Sequence, residues 1–461
     1  MSELIASREG VGPTARSSGF AQDRSFATTL RNLLLYGFLL HLFVSAAPTL
    51  FSGATESELV ADASSDAGNL YTQLMLPPAF LAVCILVYVY RVPARVLLAA
   101  TLPMAPLLLV MALSAAWSAY PELTIRRGAH EIIEVTSLAL LACCFSNPRT
   151  ILKIFFRAFL VIGCLDLLST AIFSNALTPL GLAGLHGHKN IAGQFLFTAI
   201  PVYLMGALDK QISGHRLIGL FALVSGFGML LLTQSKTSIG AAAFGVLSVL
   251  LVRGLSQRDF IARVPWLLVC AAGLVCVAVA LVIWPFDELL ETLVGDPTLT
   301  GRDGIWQYVI SKFAENPIGG TGYGAIWQIG SQIQGDLKEM GIFLVFNEAH
   351  NGYLEITAQL GIIGALGLLM FLATSLFNTF SYWVTLERLS FHGAGALMVY
   401  LFAGLALSNI TESLYFQAGM GSFGTLIFLA AFVAGARYRA PLTASHKAHI
   451  NPRASWRPRI Q

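Results

Sequence analysis

Apolar stretches of about 20 residues recur along this chain, each long enough to cross a hydrocarbon core of roughly 30 Å. We read about 12 of them as membrane-spanning helices, at residues 31–52, 72–90, 95–113, 128–146, 152–173, 192–208, 216–233, 236–253, 264–285, 356–380, 393–409 and 418–436. In lipid a helix satisfies its own backbone hydrogen bonds, so the expected fold class is all-α: a polytopic membrane protein with one long loop. The expected organisation is a polar, disordered tail at 1–30, helices one to nine within 31–285, and a loop at 286–349 carrying short amphipathic helices. Helices ten to twelve follow within 350–436, then a basic tail at 437–461.

Composition removes the alternative of a water-soluble core. Of 461 residues, 56% are hydrophobic and 11% charged, which a soluble domain of this size cannot bury. All six cysteines (Cys84, Cys143, Cys144, Cys164, Cys270 and Cys276) fall inside the spans, where a thiol packs as a small hydrophobe, so no disulfide framework or thiolate metal site is expected. The first 30 residues carry Arg8, Arg16 and Arg24 and lack the short apolar region of a signal peptide.

Charge then orients the chain. With both termini on the cytoplasmic side, the inner segments hold 21 of the 28 Lys and Arg. The first outer loop, 53–71, agrees: it carries Glu56, Glu58, Asp62 and Asp66 and no base. The remaining seven are Arg126, Arg127, Lys189, Lys236, Arg302, Lys312 and Lys338, all placed on the outer, periplasmic side against the rule. A long loop translocates bases such as Lys312 and Lys338 without functional meaning. The other five lie in short loops or at helix ends, and four of them sit in distinctive local sequence. That pattern points to an anion-binding surface on the periplasmic face.

Four strings carry the candidate chemistry. In WSAYPELTIRRGAHE (117–131), Arg126 and Arg127 enter a helix from outside, placed either to fork onto phosphate oxygens or to snorkel to headgroups with Trp117 and Tyr120. In GLHGHKNIAGQF (184–195), His186, His188, Lys189 and Asn190 crowd one loop. No acid or cysteine lies nearby outside the preceding span, so donors for phosphate or sugar are expected rather than a metal cage. The turn TQSKTSIG (233–240) adds Lys236 with Ser235, Thr237 and Ser238, and a plain helical hairpin accounts for it equally. In the long loop, Trp306, Val309, Ile310 and Phe313 recur at helical spacing, predicting an amphipathic helix on the membrane surface with Arg302 at its N-terminus. The turn GGTGYG that follows has neither the lysine nor the preceding strand of a Walker loop, which excludes nucleotide binding there. Last, NEAHNGYLEITAQLGIIG (347–364) sets His350 at the start of span ten beside Glu348 and Asn351. No group of carboxylates and histidines at metal-ligand spacing is expected on this face.

Taken together these strings resemble the O-antigen ligase and polysaccharide polymerase family of bacterial envelopes. The resemblance runs over roughly residues 110–415 and is carried most by NPIGGTGYG (316–324) and AHNGYLEITAQLGIIG (349–364). The HKN loop (His188, Lys189, Asn190), the Ser235-Lys236 turn and Arg302-x-x-x-Trp306 also contribute. Within the family the HKN loop is most similar to the exopolysaccharide polymerase branch, while Lys236 stands where many members carry arginine. The resemblance implies a cofactor-free, metal-independent, inverting glycosyltransferase. Its donor would be an undecaprenyl-diphosphate-linked oligosaccharide, and its acceptor a lipid-linked glycan for a polymerase or a lipid A core sugar for a ligase. Membrane lipids, and in some systems other polysaccharide assembly proteins, would be its partners, with no role for nucleic acid. In the mechanism so implied, Arg126 or Arg127, Lys189 and Arg302 stabilise charge on the leaving diphosphate. His350 acts either as general base or as a binding residue. Asn190, Lys236, Asn351, His186, His188 and Glu412 (in SNITES) hold diphosphate or sugar. The rival of another class is a polysaccharide or lipid transporter, which places ionisable groups near the membrane midplane and shows related half-repeats. Asp166 and His41 are the only ionisable residues read as lying well inside spans, and no repeat is evident.

Overall fold

The computed structural model describes residues 14–44, 70–256, 302–327, 348–385, 393–417 and 419–439, with a few helical positions between 261 and 268. The outer loop 53–71, most of the ninth span, Lys338 with much of the 286–349 loop, and the tail after Arg439 lie outside the described residues. So does the start of the N-terminal tail.

The described chain is almost entirely helical. In order the helices are α1 (Thr14–Val44), α2 (Leu70–Val89), α3 (Ala94–Thr101), α4 (Ala105–Leu113), α5 (Pro121–Cys143), α6 (Pro148–Ile172) and α7 (Lys189–Leu208). They continue with α8 (Arg216–Leu232), α9 (Lys236–Leu255), α10 (Arg302–Glu315), α11 (Gly352–Thr385), α12 (Ala394–Ser408) and α13 (Gly421–Arg439). Two short strands, β1 (Leu177–Thr178) and β2 (Gly181–Leu182), pair antiparallel ahead of α7. Among the described residues five helices are long and apolar enough to cross a membrane, from Ser25–Val44 to Gly421–Arg439, and the pair α3–α4 makes a sixth if its 64° bend is one broken span. Pro103 sits at that break, where it cannot continue the helix. The chain is thus an all-α membrane protein. Helix α1 begins at Thr14, inside the segment read as a disordered tail. No proline interrupts residues 14–44, and once a span is helical each upstream residue adds a hydrogen bond.

The most deeply buried helix is α13: residues 421–435 are all buried, against α5, α3 and α11. It carries no ionisable group before Arg437, so nothing opposes burial on every side. At its far end Arg439 donates to the carbonyls of Cys143 and Phe145, while Arg31 donates to that of Cys144 at 3.2 Å and lies over the Phe145 ring at 4.2 Å. Two arginines from opposite ends of the chain thereby satisfy the last carbonyls of α5. Elsewhere α8 crosses α7 so closely that a side chain at Gly219 would strike the backbone of Gly206 and Ala207, the small-residue approach that helices use in lipid.

Helix α11 is broken. Gly361 takes φ 65°, ψ −164°, a conformation open essentially to glycine alone, and the break frees backbone groups inside an apolar helix. The glycine turn after α10 takes them up. Thr321 and Gly322 donate to the carbonyls of Ala358 and Gln359 at 3.0 and 2.9 Å, and Ile362 and Ile363 donate to those of Pro317 and Ile318 at 2.9 and 3.4 Å. A Cβ on Gly361 would collide with the carbonyl of Ile318. Gly361→Ala should therefore lose at least about 1–3 kcal/mol of stability. It should lower the thermal midpoint of the detergent-purified protein, whereas Gly37→Ala, in open space on α1, should not.

Candidate functional site

The turn after α12 is set by one asparagine. Asn409 accepts from the backbone of Leu414 and Tyr415 through Oδ1 at 3.0 and 3.1 Å, and the N–H of Gly352 donates to the carbonyls of Asn409 and Glu412 at 2.9 and 3.0 Å. This strap fixes the turn against the first residue of α11 and leaves Glu412 buried, its carboxylate directed at three other segments. Its Oε1 accepts from Asn190 Nδ2 at 3.0 Å and from Arg302 Nη2 at 3.2 Å. Its Oε2 lies 3.7 Å from His350 Nδ1, and the same nitrogen is 3.0 Å from Glu348 Oε1. Three strings that are far apart in sequence thus meet on the carboxylate of a fourth.

Each expected site residue has a definite place. His188 caps α7, its Nδ1 accepting from the Asn190 N–H at 3.2 Å, and this turns the Asn190 side chain to Glu412. Lys189, half-buried beside it, makes no hydrogen bond or ion pair among the described residues. Ser235 caps α9, and Thr237 meets Thr411 through their hydroxyls at 3.1 Å, which brings the start of α9 and the exposed Lys236 alongside Glu412. Arg302 opens α10, and its partner is Glu412. The helix was expected to lie on a membrane surface along Trp306, Val309, Ile310 and Phe313. Instead its buried face is Ile305, Tyr308 and Val309, packed on Ile326, Trp327, Ala349 and Ala358, with Trp306 donating to the Ala349 carbonyl at 3.0 Å. Ile310 is exposed, because protein rather than lipid covers the opposite stripe.

Other candidates stand apart from the cluster. His186 is buried against Asp166, 3.1 Å away, and stacks on Phe195 with ring centroids 5.0 Å apart. Asn351 caps α11, accepting from Tyr353 and Leu354 at 3.1 and 3.0 Å. Arg127 donates to the carbonyl of Gly324, and Trp117 Nε1 to that of Gly319 at 2.9 Å, so the WSxxP segment and its arginine hold the glycine turn. Arg126, half-buried, has no hydrogen bond or ion pair among the described residues.

Sequence reading passed over the buried Glu355. It accepts from Trp327 Nε1 and from the Ala349 N–H, both at 2.6 Å, and from Gln359, whose own Oε1 accepts from the Gly324 N–H at 2.8 Å. An acid and an amide four residues apart at the head of an apolar span was the available signal. The reading of Asp166 and His41 as the only deep ionisable residues is also corrected: Glu131 and Glu134 are buried in α5.

His350 is held in a left-handed backbone, φ 49°, that few residues other than glycine adopt. Its neighbours over-determine that geometry. The Ala349 N–H is fixed by Glu355, the Asn351 N–H by Ser413 Oγ at 3.1 Å, and the Gly352 N–H by the turn after α12. Burial disfavours charge on the imidazole, but the carboxylates of Glu348 and Glu412 beside it outweigh burial and push its pKa up to about 10. His350 is therefore an imidazolium at neutral pH. The donor atoms of Glu348, His350 and Glu412 lie within 4.8 Å of one another, which overturns the expectation that no histidine and carboxylate cluster forms on this face. In this cluster the imidazolium and the Arg302 guanidinium provide the positive charge. Beside it runs an apolar groove between α10 and α11, lined by Val309, Ile310, Phe313, Leu354, Thr357 and Ala358.

Comparison with known proteins places these features in context. A family model described as O-antigen ligase matches residues 221–369, which include Arg302, the glycine turn, His350 and Glu355. The chain is also similar to the exopolysaccharide production protein ExoQ of Rhizobium meliloti (strain 1021), 26% identical over 329 residues, covering 66% of this chain and 73% of that protein.

The raised pKa of His350 has a signed consequence. Its stabilising contribution is fully present below about 6.5 and is lost as pH rises through about 10, because the folded state holds the proton more tightly. A ring-nitrogen NMR titration in nanodiscs should give a midpoint near 10. Glu412→Gln or Glu348→Gln should each move it down towards about 6.5.

Proposed function

With the O-antigen ligase and polysaccharide polymerase family as premise, we propose that this chain is a membrane glycosyltransferase. It moves glycan from an undecaprenyl-diphosphate carrier, polymerising exopolysaccharide or O-antigen repeat units at the periplasmic face of the inner membrane. The observation that carries the reading is the convergence of Asn190, Arg302 and His350 on the buried Glu412, beside an apolar groove. A lipid diphosphate needs cations for its headgroup and an apolar path for its chain, and both lie together here.

The reaction is a single displacement at the anomeric carbon, with inversion. As the sugar–oxygen bond breaks, the electron pair stays on the diphosphate, and charge builds on its oxygens. Arg302 and protonated His350 face that charge, with Lys189 and Lys236 at neighbouring helix starts adding to the field. A histidine already protonated at neutral pH is a poor general base, so we assign His350 to the diphosphate. Glu348 beside it receives the acceptor proton. Glu412 is a positioning residue: it orients the guanidinium and the imidazolium, and once Glu348 has taken the acceptor proton the cluster carries net positive charge towards the diphosphate. With positive charge supplied by side chains, the step proceeds without added magnesium or manganese.

The test is incubation of the purified chain with a defined undecaprenyl-diphosphate oligosaccharide, with and without a lipid A core acceptor. Laddered polymer in the absence of the core is expected, and transfer only in its presence would make the chain a ligase. Arg302→Ala should lower the rate by about 10²- to 10³-fold, with Lys recovering only part because it lacks the planar fork. His350→Ala should weaken photo-crosslinking of a lipid-diphosphate analogue. The pH–rate profile should be flat from about 6.5 to 8. A limb rising with a midpoint near 6.5 would instead make neutral His350 the base.

A further inference from the structure

A second polar cluster lies away from this site, between α1 and α5. His41 Nε2 is 3.4 Å from Glu134 Oε2, and His130 Nε2 is 3.8 Å from the same oxygen. The donor atoms of all three residues lie within 4.8 Å of one another. Glu134 Oε1 also accepts from the Gly419 N–H at 3.3 Å, which orients the carboxylate. His130 and Glu134 stand four residues apart on one face of α5, and Glu131, three before Glu134, is on the same side. Glu131 is 1% exposed, and its Oε2 has no hydrogen-bond partner among the described residues. Two acids side by side in a buried helix carry a large desolvation cost unless positive charge comes to them. Around Glu412 that charge comes from Arg302 and His350; no lysine or arginine forms an ion pair with Glu131 or Glu134 among the described residues.

We propose that His41, His130 and Glu134 form a binding site for one divalent transition-metal ion of the zinc or cobalt class, distinct from the glycosyl-transfer site. Two imidazoles and a carboxylate are the donor set such ions prefer, whereas magnesium and calcium take oxygen. Bonds of about 2.0–2.1 Å in a tetrahedron set ligand atoms roughly 3.3–3.4 Å apart; the His41–Glu134 pair already has this spacing, and His130 must draw in towards both. The ion's two positive charges balance Glu134 and Glu131, with Glu131 completing the coordination or receiving a hydrogen bond from a coordinated water. Because His41 comes from α1 and the other two donors from α5, the ion ties the N-terminal helix to the bundle. Glu134 extends the tie to the segment ahead of α13.

The experiment uses the full chain in nanodiscs, carrying an affinity tag without histidine, with metal content measured after dialysis against zinc and cobalt after absorption of cobalt. About one ion per chain is expected. His41→Ala and Glu134→Gln should abolish stoichiometric binding, and Glu131→Gln should weaken it about tenfold or more. His130→Cys should keep cobalt and add a sulfur-to-cobalt charge-transfer band, which reports ligation directly in a folded protein. Glu348→Gln should leave binding unchanged. The proposal is overturned if the native chain binds no stoichiometric ion, if binding survives both His41→Ala and Glu134→Gln, or if Glu348→Gln removes it.

Discussion

A helix broken in an apolar setting leaves backbone groups that cannot be left unpaired, and the arrangement around the break at Gly361 follows from that constraint. The four backbone bonds from the glycine turn seat residues 317–322 directly on α11. Because the turn follows α10 without a linker, seating it also seats α10 and so brings Arg302 to its place. On the other side of the break, Glu355 and Gln359 gather Trp327, Ala349 and Gly324, which anchors the residue before His350. Trp117 and Arg127 hold the same turn from a third direction. The most recognisable motif in the chain is thus a backbone device, and its chemical value lies in what it positions.

The site itself is an exercise in balanced charge. Glu412 and Glu348 draw Arg302 and His350 together, and the same pair of carboxylates keeps the imidazole protonated. Burial alone would push a histidine at that position below its ordinary value; between two acids it becomes a fixed cation. The strained backbone at His350 and its hydrogen-bonded neighbours keep that cation from relaxing, which is the preorganisation that stabilisation of a developing anion requires.

Packing away from the site uses the same few devices. Arginines at the opposite end satisfy the last carbonyls of α5, and close glycine crossings replace the hydrophobic driving force that lipid does not supply. Glu131 and Glu134 lie side by side in a buried stretch of α5 with no lysine or arginine ion pair among the described residues, which sets the second cluster apart from ordinary packing.

The sequence by itself determined the all-helical membrane class and the residue types of the site, because runs of about 20 apolar residues and misplaced cations are local properties of the chain. His188, Asn190, Arg302, His350 and Glu412 were all legible as polar residues at helix ends. Which of them share a partner was not. His186 and Asn190 are four residues apart in one loop, yet one is buried on Asp166 and the other meets Glu412, because the cap at His188 turns the chain between them. Asn351 and His350 are adjacent, yet the first caps a helix and the second faces two acids. The expected stripe on α10 failed since helical spacing says that a face is apolar without saying whether lipid or protein covers it. The state of His350 depends on Glu348, its sequence neighbour, and also on a carboxylate 62 residues away in sequence that only the strap between α12 and α11 brings within 3.7 Å.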